Sequence, residues 1–120
     1  MAEQTIEAIR PRVSERTFRI FSATIDDIVP NVDLSPRERD QVVAELVSDI
    51  TFIVKGYRGI LDGRYYPIPR ELAGYFRYLA TERYREGGLM HEVGSYLSGI
   101  AQQLDLATRV RVARDRYDQS

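Results

Sequence analysis

The chain has 120 residues, of which 43% are hydrophobic, with 17 Lys and Arg against 18 Asp and Glu. This length accommodates one domain with one core, and the apolar content exceeds that of chains that stay disordered. The net charge of −1 lacks the positive excess of a domain that binds DNA through its phosphates, and the absence of cysteine excludes disulfides, thiolate metal sites and cysteine nucleophiles.

The first helical pattern runs from about Glu3 to Val29, and Pro30 follows it. Pro11 interrupts the pattern near its start. Because proline has no amide hydrogen, either a short helix precedes Pro11 or Pro11 is itself the first helical residue. Three- and four-residue spacing predicts one buried face. That face consists of Val13, Ile20, Phe21, Thr24, Ile25 and Ile28.

The second helix is predicted to begin at a capping box, Ser35-Pro36-Arg37-Glu38, with proline at the first helical position. In this motif the serine hydroxyl accepts from the backbone N–H of Glu38, and the glutamate accepts from that of Ser35. Many residues of this segment are β-branched, but their spacing favours a helix over a strand, and Gly63 is the predicted end. The apolar stripe is Val42, Val43, Leu46, Val47, Ile50, Ile53, Val54, Tyr57, Ile60 and Leu61.

A proline-containing loop separates the second helix from the third, which is predicted to open at Pro69 and to end at Gly87-Gly88. Its apolar stripe is Leu72, Tyr75, Phe76, Leu79, Ala80, Arg83 and Tyr84. The fourth helix is predicted from Leu89 to about Asp118. Its core face is Met90, Val93, Leu97, Ile100, Ala101, Leu104 and Ala107.

These elements predict an all-α protein, with four to five helices packed as a bundle or in a globin-like arrangement without haem. We expect residues 1–120 to form a single domain. The interhelical angles that distinguish the two arrangements are not encoded in the apolar spacing.

The titratable residues do not form a recognisable catalytic or metal-binding set. His91 is the only histidine, which excludes a two-histidine metal site, and no other feature indicates the apolar pocket that a haem would need. Glu82 and Glu86 lie away from the apolar stripe and are expected to be solvated. We therefore predict no enzyme activity, no bound metal and no cofactor.

Arg83 lies on the apolar face of the third helix, where a guanidinium requires a partner. Asp49, Glu45 and Glu92 are the candidate carboxylates, and the sequence does not rank them. An alternative prediction places Arg83 in a small-molecule pocket. The tyrosines of that pocket would be Tyr57, Tyr75, Tyr84 and Tyr96.

The end of the fourth helix is rich in arginine and poor in apolar residues. It is predicted to project from the core as a solvated helix end, which the helix dipole favours, or to bind a partner protein. Binding of nucleic acid is a further alternative. The residues concerned are Arg109, Arg111, Arg114 and Arg116.

Two stretches of the chain carry a familiar pattern: Leu61-Asp62-Gly63 with Pro67–Leu72, and then Ala80–Gly99. The pattern resembles the helical N-terminal sensory domain of RsbR-like and PucR-like bacterial regulators. The motif positions are Ala80, Arg83, Gly87, Tyr96 and Gly99. The resemblance implies a haem-free helical domain used for signal input and dimerisation, either as part of a longer regulator or as a stand-alone protein acting through a partner.

From the residues and the resemblance together, we expect a non-enzymatic sensor or interaction domain. It would form a homodimer, through the first helix or the C-terminal helix, or bind another regulatory protein. No apolar stretch approaches the roughly 18 residues of a membrane span, and the polar N-terminus is unlike a secretory signal. We therefore expect a cytoplasmic protein that does not bind nucleic acid by this domain alone.

Overall fold

Five helices follow one another in the computed structural model, which describes the backbone of residues 6–56 and 69–118 and the side chains of residues 6–56 and 71–106. A 3₁₀ helix, Ile6–Arg12, comes first. It is followed by α1 (Glu15–Asp26), α2 (Pro36–Gly56), α3 (Pro69–Glu86) and α4 (Leu89–Asp118). No strand occurs within the described ranges, so the all-α prediction is confirmed.

The first helical segment is divided differently from the prediction. Pro11 lies inside the 3₁₀ helix, and α1 begins only after Ser14. The Ser14 side chain caps α1 by accepting the backbone N–H of Thr17 at 3.2 Å. A short helix therefore precedes α1, as the first of the two alternatives has it, except that Pro11 lies inside this helix. The Ser14 cap, which was not predicted, sets the start of α1, and a series of turns after Asp26 replaces the predicted helix up to Val29.

The start of α2 confirms the predicted capping box. The Ser35 N–H donates to Glu38 Oε1 at 2.9 Å, and the Glu38 N–H donates to Ser35 Oγ at 3.1 Å. The hydrogen bond from the Ser35 backbone, with a smaller contribution from the Ser35 side chain, lowers the pKa of the Glu38 carboxyl because it stabilises the charged form. The predicted continuation of the helix from residue 57 to Gly63, with Tyr57, lies outside the described residues.

Helices α3 and α4 form an antiparallel hairpin joined by Gly87 and Gly88. Both glycines are left-handed, with φ of 72° and 56°, a conformation that ends α3 as predicted. The helices approach closely at Gly94, where an added Cβ would lie 3.1 Å from the Ala80 carbonyl oxygen. Further along the pair, Arg77 of α3 forms an ion pair with an aspartate of α4, Asp105.

All five helices contribute to one core. Phe21 of α1 and Phe76 of α3 are fully buried with ring centroids 5.6 Å apart. The other large side chains with essentially no exposure are Ile9, Ile28, Val42, Leu46, Ile50, Leu72, Val93, Leu97, Ile100 and Leu104. Most of the predicted stripe positions of α2 and α4 that the structure describes are confirmed as core.

Two predicted stripes need correction. On α1 the buried side chains include Thr17 and Phe18, while Thr24 is only half-buried. On α3 the core includes Ala73, while the predicted stripe residues Tyr75 and Tyr84 are 54% and 39% exposed. In both helices the buried face is rotated from the predicted stripe, because a period of 3.6 residues is compatible with neighbouring faces.

No helix within the described ranges is both long enough and apolar enough to cross a bilayer.

Candidate functional site

The most buried charged group of the described residues is Asp49 on α2, and Arg83 on α3 binds it. The Arg83 Nε donates to Asp49 Oδ2 at 2.9 Å, and Nη2 donates to Asp49 Oδ1 at 2.6 Å. The side chain of Arg83 is 18% exposed. This two-pronged geometry is the strongest form of an arginine–carboxylate pair, and it joins α2 to α3 across the edge of the core.

Three further groups surround the guanidinium. Its Nη1 donates to Glu86 Oε2 at 2.9 Å and to the sulfur of Met90 at 3.5 Å, and its Nη2 donates to Glu45 Oε2 at 3.4 Å. We call Arg83 with Asp49, Glu45, Glu86 and Met90 the Arg83 cluster. It brings together α2, α3 and the first turn of α4.

The electrostatics of the Arg83 cluster keep the guanidinium charged. Its hydrogen bond to Asp49 raises the pKa of Arg83, partial burial opposes that effect, and the hydrogen bond to Glu86 adds to it. The cation therefore stays protonated and bound to acceptors from α2 and α3, and this arrangement holds the two helices together.

The prediction that Arg83 binds a carboxylate is confirmed. Of its three candidates, Asp49 and Glu45 bind the guanidinium, while Glu92 is not among the Arg83 partners found in the described part of the chain. Glu86 was expected to be solvated. It is half exposed, but it also binds Arg83 from one turn further along α3.

The tyrosines of the predicted pocket contact different parts of the molecule. The Tyr84 ring lies against the backbone of Gly94 and tilts over the ring of His91, with centroids 4.8 Å apart. The Tyr96 hydroxyl accepts a hydrogen bond from Asn31 Nδ2 at 3.0 Å, which ties α4 to the α1–α2 connection. The exposed Tyr75 lies on the outside of α3. A small-molecule pocket therefore stays a prediction.

The predicted arginine-rich site belongs to the last part of α4. The backbone of α4 is helical through Arg109, Arg111, Arg114 and Arg116, but their side chains lie outside the described residues, so their partners stay a prediction. Among the described residues, no group of three or more His, Asp or Glu side chains is placed to hold a metal ion.

The outer side of α3 presents large side chains to solvent. Tyr78 is 69% exposed and Tyr75 is 54% exposed, and they lie three residues apart on the helix. We call the exposed residues on this side the α3 face: Glu71, Gly74, Tyr75, Tyr78, Thr81 and Arg85. The predicted stripe of α3 placed Tyr75 in the core and did not include Tyr78, so the α3 face was not predicted.

A glycine lies in the middle of the α3 face. Gly74 is exposed, and a Cβ added to it would meet nothing within 4 Å. Glycine in an exposed helix interior costs about 1 kcal/mol relative to alanine. Among the described residues, no packing contact therefore requires a glycine at position 74.

The chain was compared with protein-family models, with curated proteins and with solved structures, and no match was found. Its function is therefore inferred from the side chains described above.

Proposed function

We propose that this chain is a non-enzymatic regulatory domain of a bacterial signalling or transcription regulator, and that it binds another protein chain through the α3 face. The observation that carries the proposal is the pair of exposed aromatic side chains, Tyr75 and Tyr78, on one side of one helix. Aromatic residues are enriched at the centres of protein interfaces, where they bury a large area at little entropic cost.

The other members of the α3 face fit the same role. Gly74 has no side chain, so a partner could approach the backbone of α3 closely at this position, next to Tyr75. The charged residues Glu71 and Arg85 lie at the two ends of the face, where a polar rim surrounds the centre of a typical interface. The face therefore has an apolar centre and a charged border.

The buried polar side chains of the described residues take part in hydrogen bonds that stabilise the fold, which supports a structural role for them. Thr17 and Asp49 are the buried polar side chains of the described residues. The Thr17 hydroxyl interacts with Ser14, and Asp49 is held by Arg83. Groups engaged in this way are not poised for acid–base or nucleophilic chemistry.

The regulatory assignment is supported by the resemblance to the sensory domains of RsbR-like and PucR-like regulators. The described motif positions shape the α3–α4 hairpin: Ala80 packs against Gly94, Arg83 joins α3 to α2, and Gly87 ends α3. We propose that the hairpin is the shared scaffold and that its outer face selects the partner. A cytoplasmic location belongs to the same proposal and is supported by the absence of cysteine.

Site-specific photo-crosslinking in the native host tests this proposal. A photoreactive phenylalanine analogue replaces Tyr78 on the α3 face, and the matched control carries the same analogue at Phe52, which is 74% exposed on α2. We expect irradiation to give a discrete product of higher mass from position 78 and none from position 52. No product from position 78, or the same mixture from both positions, would contradict binding through the α3 face.

A further inference from the structure

The charges on the α3 face are arranged symmetrically about Tyr78. Glu71 precedes Tyr78 by seven residues in the first turn of α3, and Arg85 follows it by seven residues in the last turn. Seven residues are about two helical turns, so the three side chains lie along one side of the helix. Both charged residues are exposed, including Arg85, whose ion pair with Glu82 is at the surface.

This arrangement is complementary to itself in one orientation. When two copies of α3 pack antiparallel with Tyr78 at the crossing point, Glu71 of each copy lies opposite Arg85 of the other. A parallel arrangement would instead place Glu71 opposite Glu71 and Arg85 opposite Arg85. A two-fold axis brings the same surface of both copies together, and the antiparallel form therefore gains two ion pairs.

The uncharged residues of the face fit the same register. Tyr78 meets its own copy at the axis, and Tyr75 lies opposite Thr81 of the second copy. Gly74 lies opposite Glu82, and its missing side chain leaves room for the longer glutamate. The space over Gly74, which no described residue of its own chain occupies, would then be filled by the neighbouring helix.

We infer that the occupant of the α3 face is a second copy of this chain, bound through antiparallel α3 helices that cross at Tyr78. The inference depends on the proposed function, because it names the partner of the same face. The charge complementarity of Glu71 and Arg85 about Tyr78 selects a second copy over an unrelated protein.

A charge-exchange experiment tests this geometry. Sedimentation velocity is measured over a range of concentrations for the unmodified chain, for Glu71→Arg, for Arg85→Glu and for an equimolar mixture of the two variants. Each variant alone places like charges opposite each other at two points, and we expect its dimer dissociation constant to rise about tenfold. The mixture pairs opposite charges at both points, and we expect it to recover association close to that of the unmodified chain.

Two aromatic variants locate the interface. Tyr78→Asp places two carboxylates at the axis and is expected to leave the chain monomeric, whereas Phe52→Asp on α2 is the matched control and is expected to associate like the unmodified chain. Circular dichroism melting of every variant shows that the fold is retained. Should Tyr78→Asp not fold, the mixture of the two charge variants still decides the question.

An unmodified chain that stays monomeric at the highest concentration, or single charge variants that associate as before, would overturn the inference. So would a mixture that fails to recover association. A crosslink from position 78 to a different protein, together with a monomeric chain, would overturn the second-copy inference and leave the proposed function standing.

Discussion

The guanidinium of Arg83 on α3 donates two hydrogen bonds, at 2.9 and 2.6 Å, to the carboxylate of Asp49 on α2. The two residues are 34 positions apart in the sequence, and the pair fixes how α3 lies against α2. Glu45 and Glu86 add one hydrogen bond each from the two helices. The stability of the fold should therefore depend on Asp49 more than on any exposed acidic residue of α3.

Replacing Asp49 with alanine should lower the free energy of unfolding by about 3 kcal/mol, because it removes the main partner of a largely buried cation. Urea denaturation measures the change. Glu82→Ala is the matched control, since Glu82 forms a surface ion pair with Arg85. The control should change the free energy of unfolding by less than about 0.5 kcal/mol. Equal losses for the two variants would show that the Arg83 cluster does not stabilise the fold.

Gly94→Ala should destabilise the α3–α4 hairpin, because the new Cβ would lie 3.0 Å from the Tyr84 ring and 3.1 Å from the Ala80 carbonyl oxygen. Gly99→Ala on the same helix is the control, since nothing lies within 4 Å of its added Cβ. We expect the control to gain up to about 1 kcal/mol from helix propensity and Gly94→Ala to lose about 1–2 kcal/mol. Thermal melting compares them, and a gain in both would contradict the close approach.

Tyr96→Phe should cost about 1 kcal/mol, because it removes the hydroxyl that accepts the hydrogen bond from Asn31. The buried part of the ring is unchanged, so the loss reports on the link between α4 and the α1–α2 connection. Chemical denaturation gives the difference in free energy of unfolding. Tyr78→Phe on the exposed α3 face serves as the control, measured at a concentration that keeps the chain monomeric. A loss of the same size in both variants would show that the Asn31 contact is not the cause.

Glu38→Gln should weaken the fold at neutral pH and lose that effect in acid. Hydrogen bonds from Ser35, chiefly from its backbone N–H, lower the pKa of the Glu38 carboxyl in the folded chain relative to its ordinary value of about 4.5. The carboxylate therefore stabilises the fold above the ordinary value, and this contribution disappears as the pH falls through the lowered value. The gap in melting temperature between the two proteins should close in that window. A gap that stays constant with pH would exclude the charge as its cause.

Gly74→Ala should separate folding from association. The substitution adds a methyl group in open space on α3, so the monomer should gain up to about 1 kcal/mol of stability from helix propensity. The same methyl group fills the gap between paired helices, so self-association should weaken. Melting at low concentration and sedimentation at high concentration measure the two effects. Stronger association of the variant would contradict the antiparallel register.

Local signals predicted the element boundaries well where one residue controls one hydrogen bond or one φ angle. The Ser35–Glu38 box starts α2, and Gly87 with Gly88 ends α3, because these motifs act through neighbours in the chain. Pro11 suggested two alternatives for the first segment, but α1 begins after the cap at Ser14, which neither alternative used.

Features that depend on distant residues were predicted less well. Burial of Arg83 required a carboxylate, but the choice of Asp49 depends on how α2 lies against α3, which the spacing of either helix does not encode. Tyr75 was placed in the core because its spacing fits the apolar stripe. Ala73 lies on the inner side together with the predicted Phe76. Tyr75 therefore lies on the α3 face, which carries the proposed function.

The length of α4 has a mechanical consequence. At about 1.5 Å per residue, its 30 residues form a rod of roughly 45 Å that begins beside Met90 of the Arg83 cluster and reaches Asp118. The fully buried side chains of Val93, Leu97, Ile100 and Leu104 hold the first half of this rod in the core. The 14 residues after Leu104 extend the helix by roughly 20 Å. The direction in which the arginine-rich end extends is therefore set by the packing of the first half.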